Sequence, residues 1–308
     1  VACATAGFRI DKDSHGAPGS MMDTTPNPDS SVYRILYFEE IYPSRAAEEQ
    51  AEKSKLAAFG TLARLNPLNR PKPETVKLSK WELRYEPFWH LVARREIDYL
   101  HEAVYPVQIT NPYARRVEIA GSAFEIVPDS GSKPRIDVQL QEFCHRKIDA
   151  VVHQDGLKRG IKPVKLQSYI DRYKATERTQ LDVDGTIPPQ LPFNAAVQIV
   201  KAKLAAEPID AHSIQSDTVE FTTAHLYFRP VFAFEYNWNN KLGVIEIDGL
   251  TGEVIENGEW FREKVDIVMS REMMFELGAE MASAVVPGSG YAVKLLNKVT
   301  QEKPKANM

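Results

Sequence analysis

Three short blocks recur in the same order in the two halves of this 308-residue chain, and that order constrains the fold more than any other feature. Tyr42-Pro43-Ser44-Arg45-Ala46-Ala47 opens a run ending in Lys53, Lys55, Leu56, Ala57 and Ala58. Leu191-Pro192-Phe193-Asn194-Ala195-Ala196 opens another, shorter by one residue, ending in Lys201, Lys203, Leu204, Ala205 and Ala206. Both read as helices with proline in the first turn, where its missing N–H costs nothing. Ala196, Ile199, Val200 and Leu204 fall on one face of the second. Downstream, Tyr85-Glu86-Pro87-Phe88-Trp89 matches Phe228-Arg229-Pro230-Val231-Phe232. Val117-Glu118-Ile119-Ala120-Gly121 matches Ile245-Glu246-Ile247-Asp248-Gly249, and Glu125-Ile126-Val127 matches Glu253-Val254-Ile255.

The segments after each helix alternate with period two. Phe228, Pro230, Phe232, Phe234, Tyr236 and Trp238 line one face, with Tyr227, Arg229, Ala233, Glu235 and Asn237 on the other, the pattern of a half-buried antiparallel strand. Asn239-Asn240 supplies turn chemistry, because asparagine tolerates positive φ. Leu242–Ile247 reads as the return strand. In the first half Trp81, Leu83, Tyr85, Trp89 and Leu91 alternate with Glu82, Arg84, Glu86 and His90, and a return strand is expected from Ile97 to Ile109. The expected class is α+β: two related modules, each a helix on an antiparallel meander. The boundaries read as a flexible segment 1–30, a first module 31–128, a helical insert and linker 129–190, a second module 191–258, and a helical hairpin with a frayed tail 259–308. Thr176–Pro189, with its double proline, is expected to be exposed and cleavable, leaving two separable units.

Residues 191–258 resemble the PepSY domain family. The resemblance is carried by the helix Phe193-Asn194-Ala195-Ala196-Val197-Gln198-Ile199-Val200, the strand around Phe232-Ala233-Phe234-Glu235-Tyr236, and above all the ending Val244-Ile245-Glu246-Ile247-Asp248-Gly249-Leu250-Thr251-Gly252-Glu253-Val254. That ending is a turn motif. Asp248 is placed to accept downstream backbone N–H groups beside Gly249, Thr251 to assist, and Gly252 to take positive φ. Residues 42–127 would be a diverged copy, with Ala120 in place of Asp248 and Phe124 in place of Gly252. The resemblance implies a cystatin-like, non-catalytic module of the kind associated with propeptides, protease inhibition and envelope sensing.

A formal net charge of −4 supplies no general drive toward nucleic acid. The aromatic strands near Arg84, Arg94 and Arg95 therefore read as packed sheet, not as a base-stacking platform. Two cysteines, Cys3 and Cys144, build no disulfide framework. No stretch reaches the ~20 apolar residues of a membrane span. The expected location is cytoplasmic, the alternative being export with the signal removed. Gly19-Ser20 ahead of Met21-Met22 has the look of a vector remnant, which would put the native start at Met21 or Met22.

The densest group of potential ligands is Cys144, His145, Asp149 and His153. On a helix His145, Asp149 and His153 would form a row, but no Cys-x2-Cys or His-Glu-x2-His spacing accompanies it, and a polar helix face beside Leu140, Phe143, Ile148, Val151 and Val152 is the reading adopted. No metal or cofactor is implied. His90 and His101 lie in phase with carboxylates or tyrosines, yet no nucleophile motif or phosphate loop appears, so no catalytic residue is assigned. Beyond the second module Met273, Met274, Phe275, Met281 and Tyr291 are candidate partner contacts, since methionine adapts to varied surfaces. For the segment as a whole, the preferred reading is that it covers the sheet of its own domain. The expected function is non-enzymatic binding or assembly, with a protein partner or a second copy of the chain. The other readings are an enzyme with its site in a cleft between the modules, and a membrane-surface accessory protein.

Overall fold

The computed structural model describes residues 32–60, 63, 70–127, 134–256, 258–259, 269–271 and 274–275. In chain order its elements are β1 (Tyr33–Phe38), α1 (Ser44–Ser54) running into a 3-10 turn (Lys55–Phe59), β2 (Lys77–Gln108), the pair β3 (Arg116–Ile119) and β4 (Ser122–Glu125), and β5 (Arg135–Asp155). There follow α2 (Pro163–Arg172), β6 (Ala175–Arg178), β7 (Gln180–Leu181), α3 (Phe193–Ala205), β8 (Ser213–Trp238), β9 (Lys241–Asp248), β10 (Val254–Ile255) and β11 (Met269–Ser270). The class is α+β, dominated by strands.

Seven strands form one sheet. Its spine is β5-β2-β8, all antiparallel. The far edge of β8 is shared: parallel β1 pairs with Ala224–Phe228, and antiparallel β9 pairs with Val231–Trp238. Strand β6 extends the sheet beyond β1, and β10 beyond β9. Asn239 and Asn240 close the β8–β9 hairpin with φ of 48° and 61°, as a two-residue turn between right-twisted strands requires.

From Leu226 to Phe234 every residue of β8 is buried, because helices cover both faces of the sheet there. On one face α3 inserts Phe193, Ala196, Val197, Val200 and Leu204 against Trp89, Leu91, Leu226 and Phe228. Farther along that face α1 and the 3-10 turn lay Ala47, Ala51, Ala57 and Ala58 on Phe232, Phe234, Tyr236, Ile245 and Ile247. The alanines let backbone approach backbone: a Cβ on Gly243 would stand 2.5 Å from the Ala58 carbonyl oxygen. On the opposite face α2 packs Leu166 and Tyr169 against Phe38, Phe88, Tyr227 and Leu250.

Several expectations are corrected. Ile97–Gln108 is no return strand. It continues β2, whose 32 residues run unbroken. Residues 135–155 are a 21-residue strand and not a helix, because their alternating side chains find partners across β2 from Phe88 to Gln108. Among the described residues of the expected insert the only helix is α2. The two halves do not carry separate sheets, since β2 and β8 are hydrogen-bonded neighbours. The expected linker is integral to the fold: β6 pairs with β1, Leu181, Thr186 and Ile187 are buried, and Tyr85 exchanges backbone bonds of 3.0 Å with Gly185 and Ile187. Met274 and Phe275 are buried against the protein's own core, Phe275 packing edge-on against Tyr33, Trp89 and Phe193. Met273, Met281 and Tyr291 lie outside the described residues.

Candidate functional site

The matched blocks of the two halves meet at the centre of the sheet. Glu86 and Arg229, equivalent positions in the repeat, are direct cross-strand partners. Arg84↔Val231, Tyr85↔Pro230 and Pro87↔Phe228 pair symmetrically about them. The third block does not share this symmetry: β9 lies in the main sheet, whereas among the described residues β3 pairs only with β4.

Around Glu86 the face under α2 holds a buried ionic network. Period two brings Arg84 and Glu86 of β2, Arg229 of β8, and Glu246 and Asp248 of β9 onto one face, each at most 1% exposed. Arg84 donates to Glu86 Oε1 at 2.8 Å, to Glu246 Oε1 at 2.6 Å and to the Glu259 carbonyl at 2.7 Å. Arg229 donates to Glu86 Oε2 at 2.5 Å and Asp248 Oδ2 at 3.1 Å. Arg159 reaches in from the turn after β5, bonding both Glu246 oxygens at 2.9 and 2.8 Å and also Glu86 Oε2. Asp155 holds that turn by accepting the N–H groups of Leu157 and Arg159 at 3.0 and 2.7 Å. Tyr169 of α2 donates to Asp248 Oδ2.

Three guanidiniums thus face three carboxylates. Burial opposes ionisation of Glu86, but Arg229, Arg84 and Arg159 outweigh it and hold its carboxyl below the ordinary value. Burial also opposes the charge on Arg229, yet Glu86 and Asp248 raise its pKa. Burial chiefly, and the Asp248 charge, push the Tyr169 phenol up. Each acid is engaged by a guanidinium, so the cluster is a charge-balanced lock between strands and α2, not an acid–base pair awaiting substrate.

The turn motif feeds this lock. Asp248 Oδ1 accepts the N–H groups of Leu250 and Thr251 at 2.9 and 3.1 Å, leaving Oδ2 for Arg229 and Tyr169. Thr251 Oγ1 accepts from Glu253 N at 3.2 Å, and the Gly249 carbonyl accepts from Ile41 and Tyr42 N. Gly252 has φ +75°, and a Cβ there would run into the Tyr42 ring.

Two residues along β2 from Phe88, on the same face, lies a row that sequence reading missed: His153, His90 and His225, neighbours across β5, β2 and β8. His90 Nδ1 and His153 Nε2 are 2.7 Å apart with rings stacked at 4.6 Å, and the His225 ring is 6.0 Å from His90. Burial, reinforced by the other two imidazoles and opposed by Asp171, pushes His90 down to about 4. Burial and then Arg34 push His225 down to about 4, and burial lowers His153. All three are neutral at pH 7. The expected row His145, Asp149, His153 does not converge, because residues four apart on a strand are roughly 13 Å apart. Each takes a β2 partner instead: His145 with Asp98 at 2.7 Å, Asp149 with Arg94 at 2.7 Å, His153 with His90. Cys144 stands on the opposite face, across from Tyr99. Among the described residues no group of three or more His, Cys, Asp or Glu is placed to hold a metal ion. The two halves meet strand to strand along β2 and β8.

The open element is β5. Beyond Leu100, β2 has lost β8, and with β5 it forms a two-stranded arm that carries the β3–β4 hairpin. Among the described residues no strand pairs with the outer edge of β5 apart from an isolated bridge at its start, Val127↔Arg135. That bridge sets the phase. Arg135 and Val127 exchange N–H···O bonds of 2.8 and 3.4 Å, so the odd-numbered residues of β5 turn their N–H and C=O outward. Val151 obeys the same phase, its outward carbonyl accepting Lys203 Nζ at 2.9 Å. Between them the edge carries Phe143, 84% exposed, and Leu140, 46% exposed. Val104, Tyr105 and Val107 of the paired strand are exposed as well.

No family model matches the chain, and no curated protein and no solved structure is significantly similar to it. No helix among the described residues is long and apolar enough to cross a membrane.

Proposed function

We propose that this is a non-enzymatic binding or assembly protein that engages its partner by adding a strand to the outer edge of β5. One observation carries the reading: a long edge strand with outward backbone groups and an apolar side chain left in solvent. Proteins ordinarily blunt such edges with prolines, short strands or cover, because an open ladder templates pairing with another chain. From 135 to 150 this edge contains no proline and one lysine, Lys147. The helix-then-meander order of α3, β8, β9 and β10 and the PepSY-like ending of 191–258 also favour a non-catalytic module.

The test uses Gln141→Pro. The Gln141 N–H points away from β2, so proline removes an outward donor while leaving the β2–β5 bonds intact. In pulldowns from the native host read by mass spectrometry, the wild-type chain should retain a partner, or further copies of itself, that Gln141→Pro loses with an unchanged circular dichroism spectrum. Identical sets bound by both chains would refute strand addition at this edge.

A further inference from the structure

We infer that the strand added to β5 is β5 of a second copy, paired antiparallel about a two-fold axis at Cys144. This rests on the strand-addition reading above and identifies the partner. An antiparallel strand pairs with its own copy only in registers set by the residue at the axis, and the outward phase of β5 permits one at any position. The side chains discriminate among them. An axis at Glu142, Arg146 or Lys147 sets like charges against each other, and an axis at Phe143 opposes Asp137 to Asp149. An axis at Cys144 places Glu142 opposite the second copy's Arg146, Gln141 opposite Lys147, Phe143 opposite His145, and Leu140 opposite Ile148, each pair occurring twice. No like charges face each other in that register. The exposed Phe143 and Leu140 gain cover. Arg146 keeps its contacts with the Pro208 carbonyl at 2.8 Å and Glu207 at 3.1 Å, and Glu142 keeps its bond from Tyr105, because these side chains lie on the face of the sheet and not in its plane.

The phase of the edge adds a second, sharper consequence. Phe143 and His145, both odd, form a hydrogen-bonded pair between copies. Cys144 therefore falls at a non-hydrogen-bonded position, opposite itself. Such pairs bring Cα atoms to about 4.5 Å, within the range that a disulfide spans.

The full-length chain carrying Cys3→Ser, with Cys144 as its sole thiol, tests the register. Sedimentation at micromolar concentration should give the mass of a dimer. Mild oxidation with diamide should convert it to a covalent dimer on non-reducing gels, reversed by dithiothreitol. Moving the thiol to position 142 (Cys144→Ser with Glu142→Cys) should abolish the cross-link, because the two copies of residue 142 would lie roughly 13 Å apart. Gln141→Pro should yield a monomer. A dimer whose Cys144 resists oxidation, or whose residue 142 cross-links equally well, overturns this register. A monomeric wild-type chain overturns self-pairing outright. In that case the Gln141→Pro pulldown still decides separately whether the edge binds another protein.

Discussion

Glu86→Gln is the most informative single change in the ionic lock. The substitution keeps the side chain's shape and removes one charge from a site 1% exposed. In the wild type, Arg84, Arg159 and Arg229 balance Glu86, Glu246 and Asp248. Without the Glu86 charge three guanidiniums face two carboxylates, leaving one buried positive charge uncompensated. Breaking a buried pair from one side in this way costs about 3–5 kcal/mol. The cost should depend on pH. The folded-state pKa of Glu86 lies below its ordinary value of 4.5, so its contribution is fully present above that value and is lost as pH falls below it. Urea denaturation at pH 7 should show the full loss for Glu86→Gln, and the difference from wild type should shrink as the pH drops below 4.5. Combining it with Arg229→Gln restores charge balance, so the double variant should lose less than the sum of the two single losses. A cost under about 1 kcal/mol at pH 7, or strict additivity, would refute the picture of a balanced lock.

Gly252→Val should destabilise the fold by more than about 1 kcal/mol, since it combines positive φ with a collision against Tyr42; an unchanged denaturation midpoint would contradict this. The histidine row should make the protein acid-sensitive. His90 and His225 have folded-state pKa values of about 4 against 6.5, so stability present above pH 6.5 is lost as pH falls toward 4. Replacing His90 with Asn should flatten that dependence in denaturation at pH 7.5 and pH 5, and an unaltered slope would count against the row, which Asp171, Lys203, Arg34 and Tyr227 also face. Residues 190–308 expressed alone should lack cooperative unfolding, because β8 loses its ladders with β2 and β1; a sharp calorimetric transition for that fragment would show otherwise.

Local chemistry was legible in the chain itself. Proline followed by small and apolar residues at helical spacing marks α1 and α3, period-two aromatics mark β8, and Asn239-Asn240 and the Asp248–Gly252 phrase mark turns, because each depends on the conformational preferences of a few adjacent residues. The fate of 135–155 depended on something else. Its apolar residues fit one face of a helix as readily as a strand, and its strand state comes from the ladder that β2 offers along its full length. The same holds for the site. Arg84, Glu86, Arg159, Arg229, Glu246 and Asp248 are scattered over 165 positions and signal nothing by spacing. They meet because a particular register of β2, β8 and β9 puts them on one face, and a shift of one residue would have sent them to the other. The histidine row and the open edge of β5 have the same origin. Periodicity along a chain selects strand or helix, but which strands become neighbours is decided by burial on both faces of the finished sheet.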